Sequence, residues 1–126
     1  MNNFDKKILV VDDSESIREV VSFTLEKEGY KVMTRENGQE ALKFFENPGN
    51  SANLLLTDLN MPVMDGLSLV KKVRKIDRHK YMPIIILTTE SQANVKDEAR
   101  KAGATGWIVK PFADEQLVKV LKRIIG

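Results

Sequence analysis

The 126-residue sequence contains no cysteine, a single histidine and a single tryptophan. Without cysteine it can form neither a disulfide framework nor a thiolate metal site, which fits a cytoplasmic protein. It also lacks an apolar run of the roughly 18 residues that cross a membrane, and its first residues lack the basic and apolar parts of a signal peptide. We therefore expect a cytoplasmic protein that does not act at a membrane.

Charge of one sign is not in excess either. The 20 basic and 18 acidic residues leave a net charge of +2, which argues against a nucleic-acid partner. His79, in a polar loop, is interpreted as a surface residue. The length fits one domain, which we assign to residues 1–126. The basic residues of the helical segments are interpreted as solvated outer faces, namely Lys71, Lys72, Arg74, Lys75, Lys96, Arg100, Lys101, Lys119, Lys122 and Arg123.

Apolar runs alternate with stretches of helical periodicity five times, which predicts strand–helix units around a parallel sheet. The predicted strands are Ile8–Val11, Lys31–Thr34, Leu54–Leu56, Ile84–Thr88 and Trp107–Lys110. The predicted helices are one between Ser14 or Ser16 and Gly29, one over Asn37–Asn47, one marked by Leu69, Val70, Val73 and Ile76, one over Ser91–Ala102, and one marked by Leu117, Val120, Leu121 and Ile124.

The first and fourth predicted helices differ in how much apolar surface they can bury. The first has an apolar face at helical spacing, which predicts that Ile17, Val20, Val21, Thr24 and Leu25 all point inward. The fourth has a thin stripe of Val95, Ala99 and Ala102, which buries little apolar area. We therefore expect the fourth helix to be among the less firmly held.

Four charged residues follow the predicted strands at the points where the strands end. Asp12 and Asp13 follow the first strand, Asp58 follows the third, and Lys110 ends the fifth. The carboxyl ends of parallel strands share one edge of the sheet, where ligands bind in open α/β folds. The four charges should therefore meet in one pocket.

Carboxylates gathered in one pocket repel, at roughly 4 kcal/mol for a pair about 4 Å apart. A raised pKa on one carboxyl or a hard divalent cation would offset this repulsion. Asp13 and Asp58 suit Mg²⁺ with a phosphoryl ligand, Lys110 supplies an opposing charge, and Thr88 a hydroxyl donor. Because a carboxylate can attack phosphorus to form an aspartyl phosphate, Asp58 is the candidate nucleophile.

Each of these residues has a structural explanation when taken singly. An acidic pair before a helix can cap it, an aspartate can stand in an ordinary turn, and a lysine can lie on the surface. However, all four charged residues stand at the ends of predicted strands, although three separate parts of the chain supply them. Coincidence explains this arrangement poorly.

The pattern is densest in four stretches: Ile8 to Ser14, Thr57 to Gly66, Ile86 to Thr89, and Gly106 to Phe112. There the sequence resembles the receiver domain of two-component response regulators, and most closely the stand-alone chemotaxis type, CheY-like proteins. The resemblance covers nearly the whole chain. It implies a flavodoxin-like (βα)5 fold, with a five-stranded parallel sheet in the order 2-1-3-4-5 and helices on both faces.

The resemblance also implies roles for individual residues. Asp58 is expected to be the phosphoacceptor, while Lys110 and the Thr88 hydroxyl contact the phosphoryl oxygens. The implied ligands of Mg²⁺, or of Mn²⁺ in its place, are Asp13, Asp58, Asp12 mostly through water, and the backbone carbonyl of Asn60.

Trp107 stands at the position of the family's switch aromatic, which turns inward as the threonine hydroxyl moves toward the phosphoryl group. Tryptophan can only donate a hydrogen bond, through its indole N–H. Thr89 stands where a smaller residue is often found, and Glu90 resembles the chemotaxis type. The Lys110–Pro111 peptide is expected to be cis.

The implied function is a signalling switch that accepts a phosphoryl group from a CheA-like sensor histidine kinase and loses it by self-hydrolysis. A target such as the flagellar motor switch is expected on the face of the fourth helix, fifth strand and fifth helix, which presents Lys96, Arg100, Trp107 and Lys119. A phosphatase is a further expected partner. The alternatives are a phosphorelay intermediate, a receiver cut from a larger regulator, and an aspartyl-phosphate phosphatase. A nucleotide binder is disfavoured because the turn at Asp13 to Ser16 lacks a glycine-rich cradle.

Overall fold

The computed structural model describes residues 6–126, so the first five residues of the predicted domain 1–126 lie outside the described residues. Five parallel strands form one sheet in the order β2-β1-β3-β4-β5, which confirms the expected fold. The strands are β1 (Lys7–Val11), β2 (Lys31–Arg35), β3 (Leu54–Thr57), β4 (Ile84–Thr88) and β5 (Gly106–Val109). The helices are α1 (Glu15–Lys27), α2 (Gly38–Glu46), α3 (Gly66–Arg74), α4 (Ala93–Ala102) and α5 (Asp114–Ile125), with a 3₁₀ turn at Asp77–His79.

The sheet is covered on both faces, which explains why its central strands are apolar throughout. Every residue of β3 and β4 is buried, as expected for parallel strands between two layers of helices. Successive residues of a strand point to opposite faces. Leu9 and Val11 therefore join the core with α2, α3 and α4, while Ile8 and Val10 join the core with α1 and α5. Within residues 6–126, none of the helices combines the length and apolarity that crossing a bilayer requires.

Polar side chains begin three of the helices at defined residues. The Ser14 hydroxyl accepts from the Ile17 amide, Asn37 accepts from the Glu40 amide at 2.9 Å, and Asp65 accepts from the Ser68 amide at 2.8 Å. These bonds satisfy backbone donors that the first turn of a helix leaves unpaired. Of the two predicted caps of the first helix, Ser14 and Ser16, the structure uses Ser14.

The fourth helix departs from its predicted start. It begins at Ala93 rather than at Ser91, and its N-cap residue Gln92 makes no side-chain capping bond. Its last turn ends at Gly103, whose φ of 118° lies in the left-handed region. Ala99 is the one residue of this helix that is fully buried, so the predicted thin apolar stripe is confirmed.

Val20 was predicted to point inward, and this prediction is wrong because its side chain is 52% exposed. Ile17, Val21 and Leu25 lie on the face of α1 that packs into the hydrophobic core between the sheet, α1 and α5. A helix turns about 100° per residue, so Val20 lies to one side of that face. The apolar spacing alone did not reveal where the contact ends.

The end of α3 and the 3₁₀ turn after it correct two further predictions. His79 is not a surface residue but only 4% exposed, because the 3₁₀ turn folds its ring against Phe45 with the ring centroids 5.0 Å apart. Arg74 is not on a solvated face but half-buried. Its Nε and Nη2 donate to the Gly103 carbonyl at 3.0 and 2.8 Å, and its Nη1 donates to the His79 carbonyl at 3.0 Å. Arg74 thus joins the ends of α3 and α4.

Candidate functional site

The carboxyl-terminal edge of the sheet brings three aspartates together. Asp12 and Asp13 follow β1 and Asp58 follows β3, and one carboxylate oxygen from each lies within 4.8 Å of the others. Asp12 and Asp58 are buried, at 2% and 9% exposure, whereas Asp13 is exposed. The predicted meeting of these three carboxylates is confirmed.

Lys110 reaches the same cluster from the end of β5. Its Nζ lies 2.7 Å from Asp12 Oδ2 and 3.4 Å from Asp58 Oδ2. Lys110 lies just beyond the strand rather than in it, and its backbone N–H donates to the Thr88 carbonyl at 2.8 Å. The pairs are mostly shielded from solvent, so they are weakly screened, and the ammonium offsets part of the repulsion among the carboxylates.

Backbone hydrogen bonds fix the two buried aspartates from several sides. Asp58 donates its amide to the Val11 carbonyl at 2.9 Å, and its Oδ1 accepts from the Leu59 amide at 2.7 Å. Asp12 Oδ1 accepts from the Ser14 amide at 2.9 Å, and the Asp12 carbonyl accepts from Arg18 Nη1 at 2.6 Å. The remaining oxygen of each carboxylate, Oδ2, is therefore turned toward Lys110. The supporting role of Arg18 was not predicted from the sequence, where it is one basic residue among many.

The loop after Asp58 folds back tightly on the end of β3. The Gly66 amide donates to the Leu59 carbonyl at 2.7 Å, and a Cβ at Gly66 would lie 2.2 Å from the Asp58 carbonyl oxygen. Position 66 therefore excludes any side chain. Val63, at the tip of the same loop, has a φ of 70° and is 78% exposed.

Thr88 and Asn60 also lie at this edge of the sheet. Thr88 is 1% exposed at the end of β4, and its hydroxyl accepts from the Glu90 amide at 3.4 Å. The Asn60 side chain is exposed, as is Thr89. Within the described part of the chain, no hydrogen bond joins Thr88 or Asn60 to Asp12, Asp13 or Asp58, so their predicted roles stay predictions.

Glu90 joins the end of β4 to Trp107 and to α4. The indole Nε1 of Trp107 donates to the Glu90 carbonyl at 3.0 Å. The Glu90 carboxylate accepts from the amides of Ser91 at 3.1 Å and Gln92 at 3.0 Å, just before a helix that has no side-chain cap of its own. Glu90 stands out in the sequence only through the family resemblance, and no pattern there predicts these bonds.

The donor set of the site suits a hard divalent cation. Asp12, Asp13 and Asp58 offer carboxylate oxygens, which Mg²⁺ and Mn²⁺ prefer. Lys110 offsets only part of the negative charge of these three carboxylates. The Lys110–Pro111 peptide is cis, as expected.

Comparison with known proteins agrees with this geometry. The family model described as the response regulator receiver domain matches residues 8–122. The chain is 43% identical over 121 residues to the chemotaxis protein CheY1 of Helicobacter pylori, covering 95% of this chain and 97% of that protein.

Solved structures give the same result. The chemotaxis response regulator CheY4 of Vibrio cholerae superposes with a TM-score of 0.89 at 46% identity, covering 95% of this chain and 98% of that one. The receiver domain of a sensor histidine kinase from Pseudomonas aeruginosa, solved with a magnesium ion coordinated in its active-site cleft, has a TM-score of 0.85 at 28% identity and covers 94% of this chain and 95% of that one.

Proposed function

The chain belongs to the response regulator receiver family and is a phosphorylation-dependent switch of two-component chemotaxis signalling, and on this basis we propose that Asp58 receives the phosphoryl group. One observation carries the assignment. Asp58 is a buried carboxylate whose Oδ1 is held by the Leu59 amide, while its Oδ2 faces Lys110 across a cluster of further carboxylates. One of its oxygens is thus oriented for attack.

The chemistry follows from these contacts. Oδ2 of Asp58 attacks phosphorus, the new O–P bond forms in line with the bond that breaks, and the donor leaves with the electron pair of that bond. Lys110, already 3.4 Å from Oδ2, lies where its charge stabilises the negative phosphoryl oxygens. Hydrolysis of the aspartyl phosphate by water restores the carboxylate, so the chemistry is confined to the protein itself.

Receiver domains bind Mg²⁺ at an acidic pocket, and the cluster of Asp12, Asp13 and Asp58 fits that description. We propose that these carboxylates and the Asn60 carbonyl hold Mg²⁺, with Mn²⁺ as a substitute. When bound, the ion neutralises charge between the carboxylates and the phosphoryl oxygens. Asp12 would have to share its Oδ2 with Lys110, which fits the proposal that it contacts the ion mostly through water.

Switching follows from the link between Thr88 and Trp107. If the Thr88 hydroxyl turns to donate to the phosphoryl group, its bond from the Glu90 amide changes, and Glu90 also holds the Trp107 indole. A switch needs two arrangements that the phosphoryl group contacts differently. The loop from Thr88 to Gln92 is our candidate for the part that rearranges.

Chemotaxis relatives imply a CheA-like histidine kinase as phosphodonor and motor proteins as targets. We propose that the target binds the face of α4, β5 and α5, where Trp107, Lys96 and Arg100 border a groove of about 190 Å³ between α4 and β5. A phosphatase that shortens the signal is a further proposed partner. We also propose that residues 1–126 act as one domain in the cytoplasm, where kinase and motor switch would meet it.

Intact mass measured after incubation with acetyl phosphate tests the acceptor. We expect one labile phosphoryl adduct that requires Mg²⁺, is abolished by EDTA and is absent from Asp58→Asn. The matched control is Asp97→Asn, which removes a surface carboxylate paired with Arg100 and should leave the adduct intact. An adduct on Asp58→Asn, or none on the unmodified chain, would contradict the proposal.

A further inference from the structure

The charges of this nearly neutral protein are distributed unevenly. Residues 71–80 contain six basic residues and one acidic residue, against a net charge of +2 for the whole chain. The remainder of the chain is therefore net negative. The basic segment forms the last turns of α3 and the 3₁₀ turn, on the same side of the sheet as α4.

Part of this segment lines a groove between α3 and α4. Lys71 and Lys75 stand on the α3 side and Lys101 on the α4 side, with Ala102 and a single acid, Glu98, completing the lining. The groove has a volume of about 470 Å³. We call it the α3–α4 groove.

The three lysines are not neutralised by the protein itself. All three are exposed, and within residues 6–126 none of them makes an ion pair or a side-chain hydrogen bond. Lys71 and Lys75 are also one helical turn apart, a spacing at which like charges weaken a helix. A cation near a helix C-terminus is favourable, which explains one lysine on each helix but not three around one groove.

The walls of the groove are held in place by Arg74. Its guanidinium spans from α3 to the Gly103 carbonyl at the end of α4, so the spacing between the two helices is fixed by direct hydrogen bonds. Arg74 adds a further positive charge that no carboxylate pairs with in the described residues. The groove is thus a preorganised basic concavity, which lowers the ordering cost of binding.

We propose that the α3–α4 groove binds an acidic segment of a partner protein. A concave groove between two helices admits a peptide segment, whereas a flat bilayer contacts only its rims. Its lining also contains no aromatic residue on which a nucleic-acid base could stack. The helices on the opposite side of the sheet, α1 and α5, contain five acidic and five basic residues. The excess of positive charge therefore lies on the side of the groove and steers an approaching acidic partner there.

The proposal has a consequence for signalling that does not depend on which residue is phosphorylated. The α4 helix forms one wall of this groove and one wall of the smaller groove beside Trp107. A partner in the α3–α4 groove and a partner at the Trp107 face would therefore contact the same weakly anchored helix. Any effect of one ligand on the affinity of the other must be reciprocal.

Binding of a fluorescent poly-glutamate peptide tests the inference at physiological ionic strength, where exposed charges are screened beyond about 8 Å. The groove variant combines Lys71→Glu, Lys75→Glu and Lys101→Glu. Its control combines Lys27→Glu, Lys31→Glu and Arg123→Glu, which changes the net charge equally at exposed positions elsewhere. We expect the groove variant to lose affinity by at least about tenfold and the control by less than about threefold.

Amide chemical shifts of the unmodified chain should change along α3 and α4 when the peptide is added. Equal losses in both variants, shifts spread over the whole surface, or no binding at all would overturn the proposal. Vesicles containing phosphatidylglycerol and a single-stranded oligothymidylate provide the comparison. If either binds through the groove as tightly as the peptide, the acidic-protein assignment is wrong. Phosphorylation by acetyl phosphate and circular dichroism, unchanged in both variants, show that each is folded.

Discussion

Val63 has an unfavourable backbone conformation and a side chain that packs against little of the protein. A β-branched residue at a φ of 70° is strained, and its side chain is 78% exposed, so packing offers little in return. The Pro62 carbonyl accepts from the Met64 amide at 2.8 Å across this turn, which keeps the chain in the tight conformation. The strain thus lies in the loop that follows Asp58 and leads to α3.

Replacing Val63 with asparagine should stabilise the protein, because asparagine tolerates the left-handed region better than a β-branched residue does. We expect the free energy of unfolding in urea to rise by about 1 kcal/mol. The control is Val20→Asn, an exposed valine within α1, where we expect a change within about 0.5 kcal/mol. Unchanged or lower stability in Val63→Asn would show that the loop is not strained at this residue.

At the scale of secondary-structure elements, α4 is held differently from its neighbours. Where α2 and α3 begin with capping side chains, α4 has none, and the Glu90 carboxylate instead holds the amides of Ser91 and Gln92 in the loop just before the helix. Glu90 also accepts the Trp107 indole N–H through its carbonyl. The start of α4 and the position of the aromatic side chain on β5 therefore depend on the same residue.

Substituting Glu90 with alanine should loosen the start of α4. The substitution removes the one carboxylate that accepts from the backbone amides of both Ser91 and Gln92, and each lost hydrogen bond typically costs about 0.5–1.5 kcal/mol. Hydrogen exchange followed by NMR should show faster exchange at the first turns of α4, while the amides of α1 keep their protection. Glu98→Ala, at an exposed position of the same helix, is the control and should leave exchange unchanged. Equal exchange in both variants would show that the Glu90 carboxylate does not hold the start of α4.

The strands and α4 together show what the sequence could and could not predict. Strands β3 and β4 were predicted because continuous apolar runs have few alternatives in an α/β pattern, and the clustering of Asp12, Asp13 and Asp58 followed from where those runs end. The start of α4 was predicted two residues early, because the amides of Ser91 and Gln92 bind the Glu90 carboxylate in the loop and the helix begins only at Ala93. Side-chain to backbone bonds of this kind leave no periodic signal in the sequence.

The same limit applies to residues that contact distant parts of the chain. His79 looked like a loop residue because its neighbours in sequence are polar, yet its ring packs on Phe45. Arg74 looked like an outward cation because α3 is basic, yet it reaches Gly103. Such contacts depend on how the helices lie against one another, which no short sequence pattern encodes.

At the scale of the whole molecule, burial of His79 links stability to pH. Burial, and secondarily the positive charge of Arg78, lower the pKa of His79 below its ordinary value of 6.5. The unfolded chain therefore binds a proton at His79 more readily than the folded chain does, so stability rises with pH in this range. The contribution of the neutral ring is complete above pH 6.5 and is lost as the pH falls through the lowered pKa of the folded state.

Because His79 is the single histidine, one substitution isolates this effect. We expect the free energy of unfolding of the unmodified protein to fall more steeply than that of His79→Leu as the pH is lowered from 7 toward 5. Urea titrations of both proteins at each pH provide the measurement, and titrations of the carboxylates, common to both, cancel in the difference. Parallel curves would mean that the imidazole is protonated equally in both states.

The bond from Trp107 to Glu90 gives this switch an optical property of its own. Trp107 is the single tryptophan in the sequence, so indole emission from the protein arises from the side chain whose N–H is tied to the loop between β4 and α4. Any rearrangement that breaks this bond changes the polarity around the one indole of the protein. Rapid mixing with a phosphodonor could therefore follow the loop in real time, in unlabelled protein, and separate its movement from the arrival of the phosphoryl group.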